Sequence, residues 1–247
     1  MIVIVVGMHR SGTSAVAGIL HLHGISMGSE KTFRPKALPQ NPKGFYENYD
    51  FRRLSDKILN RSGYKVKSFN VIIPEKIVAD KYNAKMKRLI ERQELELNHW
   101  GWKDPRICLT LNCWLELLDS MGLLYKTKIV YTYRRADSVS NSLIRRNSLT
   151  YKQAIKLWCK YNQIALKVIN TWELETFCFS YESLLKNPIM VCEKLFQFLK
   201  EDLNISVIDS FIDPSLNRSS IDVEKIDDSS ATKITEQLMK LSADSLG

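Results

Sequence analysis

The chain has 247 residues, 45% of them apolar, which is enough for one substantial α/β core. Its 36 Lys and Arg against 27 Asp and Glu leave a formal charge of +9, a surplus that favours an anionic partner such as a charged nucleotide, an acidic polymer or anionic lipid. The five cysteines contain no C-x-x-C pair and no apolar run reaches the ~20 residues of a membrane span; both argue for a cytoplasmic protein without zinc, disulfide framework or integral membrane segment.

Residues 2–6 are a continuous β-branched run, the pattern of a strand buried on both faces in a parallel sheet. A Gly/Ser/Thr loop at 7–14 leads into a helix that Gly24 stops near His23. Pro35, Pro39, Pro42, Gly28 and Gly44 mark 24–49 as a long irregular loop, of the kind that is usually functional or mobile. Helices are predicted at 50–61 and, with a charged face, at 80–98. Residues 101–103 read as a short strand, ended by a turn at Pro105, and 107–121 as an amphipathic helix. A strand at 128–133, helices at 137–146 and 150–172, and a strand at 177–181 follow, then a helix from Pro188 to about Leu203. Trp158, Tyr161 and Trp172 share the long helical segment, where core packing is the better reading than an acceptor groove. Strands alternating with helices predict a three-layer α/β fold with a mainly parallel sheet. Residues 1–218 read as one domain and 219–247 as a polar C-terminal tail with a weak helical pattern at 229–242.

Two motifs carry chemistry. Gly7-Met8-His9-Arg10-Ser11-Gly12-Thr13-Ser14 joins a buried strand to a helix in the frame G-x-x-x-x-G-x-S, nearly a Walker A loop. Glycines there let the backbone wrap an anion, and free N–H groups with the helix dipole stabilise its charge. A nucleoside triphosphatase needs Lys where this chain has Thr13; here the cation is Arg10, inside the loop, and no obvious Mg²⁺ carboxylate ends a second strand. Downstream, Arg134 ends a strand and Ser142 lies eight residues on, in the first turns of a helix. Brought together over the sheet edge, a guanidinium fork and a hydroxyl can hold one dianionic phosphate.

Together these segments resemble the sulfotransferases that use 3′-phosphoadenosine-5′-phosphosulfate (PAPS). The 5′-phosphosulfate loop of that family commonly reads [PR]-[KR]-S-G-T-[ST], similar to His9-Arg10-Ser11-Gly12-Thr13-Ser14. Arg134 and Ser142 match its 3′-phosphate motif, and Tyr181-Glu182-Ser183-Leu184 is similar to a segment in which the tyrosine lies near adenine. Arg10 in place of the lysine of the cytosolic branch, and the absence of that branch's K-T-H segment and C-terminal glycine-rich clamp, look nearer to bacterial and carbohydrate-type members. The resemblance implies a P-loop-related fold, PAPS as donor with PAP as product, no metal, and an acceptor hydroxyl or amine on a small molecule or carbohydrate. It makes Arg10 the cation on the leaving oxygen and Lys103 a candidate second cation. Glu47 is the first choice of general base, after a loop that could close over an acceptor; Asp104 is the second, with pairing to Arg106 as its structural alternative. His9 is expected to touch donor or acceptor, and Arg218 to supply a late basic contact to the nucleotide. The competing readings are a kinase with a degenerate P-loop and a non-catalytic binder of nucleotides or polyanions. Nucleic acid is disfavoured, since no aromatics interleave with basic residues as a stacking platform.

Overall fold

Five consecutive apolar residues form the central strand β1 (Ile2–Val6), each with its side chain fully buried. In the computed structural model, which describes residues 1–38, 41–213 and 228–246, β2 (Trp100–Lys103) and β3 (Thr127–Tyr133) flank β1, and β4 (Thr176–Ser180) lies beyond β3. The order is β2-β1-β3-β4, and all three pairings are parallel. Burial on both faces is what selects a β-branched run rather than an alternating one.

The two faces of β1 feed two cores. Ile2, Ile4 and Val6 pack with Phe51, Trp100, Trp102 and Trp114; Phe51 and Trp102 stack at 4.6 Å between ring centroids. Val3 and Val5 pack with Val16, Ile19, Phe179 and Leu195 on the other side. The first core draws on α2 (Tyr49–Arg61), α3 (Asn83–Glu96), α4 (Ile107–Ser120), α5 (Ala136–Asn147) and α6 (Tyr151–Trp172). The second draws on α1 (Thr13–Leu22), α7 (Tyr181–Lys186), α8 (Pro188–Leu199) and α9 (Ile205–Phe211). The result is the expected helix–sheet–helix sandwich. Trp158 and Tyr161 are both fully buried in the first core.

Three elements differ from the sequence reading, each for a local reason. Tyr181 opens α7 instead of ending a strand, because the Ser180 side chain accepts the Ser183 N–H and caps a helix there. The helix from Pro188 stops at Leu199, where Lys200 adopts a left-handed φ of 60°, and Asn204 caps the separate α9. The polar stretch near the end carries a full helix, α10 (Ser229–Leu246), packed on β4 and α6. Its Ala231, Ile234 and Leu238 fall on one face and are buried in the first core, while the other positions are polar enough to mask the stripe. The Cys178 N–H of β4 donates to Ser245 Oγ at 2.9 Å. All five cysteines are buried free thiols, and no described helix is long and apolar enough to cross a membrane.

From β1 the chain crosses to β2 on one side and later to β3 on the other. The crevice at the carboxyl ends of β1 and β3 is therefore a topological switch point, where open parallel sheets bind ligands. The loop from Gly7 and the Arg134 turn both leave the sheet there.

Candidate active site at the sheet switch point

The loop after β1 is a tight backbone structure. Ser11 N–H donates to Met8 O at 3.2 Å, Thr132 Oγ1 of β3 donates to Ser11 O at 3.1 Å, and Arg10 and Gly12 take left-handed φ values of 70° and 84°. Gly12 has a second constraint, since a Cβ there would lie 2.1 Å from the Tyr181 ring. No side chain caps α1; Ala15 N–H donates to Gly12 O at 2.9 Å, and the amides of Thr13 and Ser14 precede that first bond of the helix. His9, Arg10, Gly12, Thr13, Ser14 and Ala15 line one wall of a cleft. Ser11 Oγ is buried with no hydrogen-bond partner among the described residues. A buried hydroxyl, uncapped amides and the positive end of a helix favour an anion.

The two sequence motifs meet at Arg10. Its Nε donates to Ser142 Oγ at 2.8 Å, and its carbonyl accepts from Arg134 Nη1 at 3.3 Å. Arg134 is anchored by its own carbonyl, which accepts from Trp158 Nε1 at 3.0 Å, and its guanidinium lies 5.2 Å over the Tyr181 ring. Arg10 is pushed below the usual guanidinium range by desolvation first, then by repulsion from Arg146 and Arg134. Desolvation likewise lowers Arg134, against the opposing pull of Glu182. Arg146, in the last turn of α5, also lines the cleft. The sequence reading missed it; its one signal was a position a helical turn past Ser142, indistinguishable there from a solvated charge.

The other end of the cleft is compensated. Lys103 is 1% exposed at the end of β2; its Nζ donates to Ser14 Oγ at 3.0 Å and to Glu47 Oε1 at 2.9 Å. Arg52 Nε lies 3.8 Å from the other Glu47 oxygen. Glu47 and Lys103 both line the cleft; Asp104 does not. Asp104 is buried and accepts from Arg106 Nη1 at 2.7 Å and from the Arg106 backbone N–H at 3.1 Å, while Arg106 Nε donates to Asp56 at 2.6 Å. The structural alternative for this acid is therefore the arrangement present.

His9 lies beside Phe69 and Tyr161, and its pKa falls to about 3, through burial first and then the Arg106 charge. The ring is neutral at physiological pH. Its Nε2 is buried and has no partner among the described residues. The far wall comprises Asn41–Phe45 and Phe211–Asp213, joined where Lys43 Nζ donates to Ser210 O at 3.1 Å and sits over the Phe211 ring. Arg218 lies outside the described residues. Among the described residues, no three His, Cys, Asp or Glu side chains converge as a metal site.

No protein-family model and no curated protein matches the sequence. Among solved structures, the fold matches a sulfotransferase domain from the curacin biosynthetic pathway with a TM-score of 0.57 and 20% identity over 96% of each chain. The match takes in nearly the whole of both chains, and the chain has the sulfotransferase fold.

Proposed function

We propose that this protein is a sulfotransferase that moves the sulfuryl group of PAPS to a hydroxyl or amine on a small molecule or carbohydrate, releasing PAP. The observation that carries the reading is the convergence on Arg10. Two motifs more than 120 residues apart meet at one residue, Ser142 at its guanidinium and Arg134 at its carbonyl, beside a helix start that no side chain caps, at the switch point of the sheet. An NTPase loop would carry Lys where Thr13 stands. The self-repelling arginines fit a donor with two separate anionic groups: the loop amides, Ser11 and Arg10 for the 5′-phosphosulfate, and Arg134 with Ser142 for the 3′-phosphate. Tyr181, which stacks under Arg134 and packs on Gly12, is positioned to flank the adenosine.

Sulfuryl transfer forms a bond from the acceptor heteroatom to sulfur and breaks the bond from sulfur to the bridging oxygen of the 5′-phosphate. Charge builds on that oxygen, and Arg10 with the amides of α1 stabilises it without reorganising. Lys103 is the second cation. Glu47 takes the acceptor proton; the Lys103 hydrogen bond orients its carboxylate, and the Arg52 charge lies 3.8 Å away. Asp104 serves the buried frame through Arg106. His9, neutral and cleft-lining, contributes a hydrogen-bonding nitrogen and no charge. The five reduced thiols support a cytoplasmic setting.

The test is calorimetric titration with PAP beside ATP, each with and without Mg²⁺. Metal-independent PAP binding that disappears when the 3′-phosphate is removed is the expected result. Tight Mg²⁺–ATP binding with no response to PAP would overturn the reading in favour of a kinase. PAP binding without sulfate transfer to any of a panel of hydroxyl and amine acceptors would favour a non-catalytic binder.

A further inference from the structure

A second concave surface lies between α2 and α3, outside the cleft. Arg53 and Lys57, one turn apart on α2, face Lys85, Arg88 and Arg92, which follow the i, i+3, i+7 spacing of one face of α3. The longer row extends about 10 Å along its helix. Leu54 and Leu89, both buried, floor the groove. The one acid in its lining is Asp50, already held by Arg92 at 2.9 Å. Among the described residues, Arg53, Lys57, Lys85 and Arg88 have no ion pair, whereas Lys87, elsewhere on α3, pairs with Glu91 at 3.8 Å.

Two facing rows of cations in a groove match a ligand whose negative charges recur along a chain. The concave shape disfavours a flat bilayer surface. The lining holds no aromatic residue, so the bases of a single-stranded nucleic acid would find nothing to stack on. We infer that this groove binds a linear oligosaccharide bearing carboxylate or sulfate groups. Asp50, at the groove, is three residues from Glu47, in the cleft, so at most about 11 Å of chain separates them. The further step, that the bound chain is an extension of the acceptor, rests on the transfer reading; the binding itself does not.

Calorimetry with a heparin-derived hexasaccharide, at low and high salt, tests the site. The wild-type protein is expected to bind with an affinity that falls as salt rises, and the Arg53→Glu, Arg88→Glu double variant to bind at least about tenfold more weakly with an unchanged melting temperature. If charge reversal lowers the melting temperature, the milder Lys57→Gln, Lys85→Gln pair is measured against the same criterion. Equal affinity in the folded variant would overturn the inference, as would tighter binding of an oligothymidylate than of the hexasaccharide. Arg10→Ala keeps the two readings separable: it is expected to weaken PAP binding and leave hexasaccharide binding unchanged. Loss of both would place the saccharide in the cleft and end the claim for the groove.

Discussion

Arg106 is a buried arginine and Arg10 a partly buried one, both at the carboxyl end of the sheet, and the protein treats them in opposite ways. Arg106 is clasped by Asp104 and Asp56, and those two carboxylates raise its pKa against the desolvation that would lower it. Arg10 has a hydroxyl for a partner and other arginines for neighbours, and desolvation first, then their repulsion, lowers its pKa. The first guanidinium is neutralised within the fold. The second is left with charge to spare, and an arrangement that costs stability without a ligand is a mark of a binding site.

The contrast can be broken at several points. The largest effect is expected from Arg106→Ala, which strands the buried Asp104 charge. Urea denaturation should show a loss of about 3–5 kcal/mol, while PAP affinity per folded molecule stays near wild type. A folded Arg106→Ala protein that had instead lost PAP binding would erase the distinction. Next is Arg10→Ala, where kcat for sulfate transfer should fall about 10²–10³-fold with stability little changed; an unaltered kcat would remove Arg10 from the chemistry. Arg134→Ala should weaken PAP binding by about 1.5–3 kcal/mol, the range for a hydrogen bond to a charged group, and barely alter binding of an analogue lacking the 3′-phosphate. Equal losses for both ligands would contradict the 3′-phosphate assignment. The smallest effect sharpens the comparison most. Arg146→Gln relieves repulsion at Arg10, so the ligand-free protein should be unchanged or more stable by up to about 0.5 kcal/mol at low salt, while PAP binds more weakly. Destabilisation at low salt would mean that the arginines do not repel one another as described.

Much of this site was legible in the sequence because its pieces are local. The β-branched run, the Gly12 turn and the Arg134–Ser142 spacing each express a strand end or a helix start, and such signals survive without tertiary context. What joins residues far apart was not legible. The Lys103–Glu47 pair spans 56 positions, and nothing in Lys43-Gly44-Phe45-Tyr46-Glu47 indicates that a buried amine will meet its carboxylate. Whether Asp104 was a base or a brace turned on which cavity it faced, a property of packing and not of the Asp-Pro-Arg string. Arg146 was hidden for the same reason. An arginine near a helix end looks alike in sequence whether water or a cleft lies beyond it.

The helix at 229–246 also bears on how the molecule is made. Among the described residues β4 has a strand neighbour on one side only, and it is α10 that packs against it, with Ser245 taking up the amide of Cys178. A ribosome delivers every strand of the sheet before it delivers this helix. The growing chain therefore passes through an interval in which a hydrophobic strand border, open to pairing with any neighbouring chain, waits for its cover.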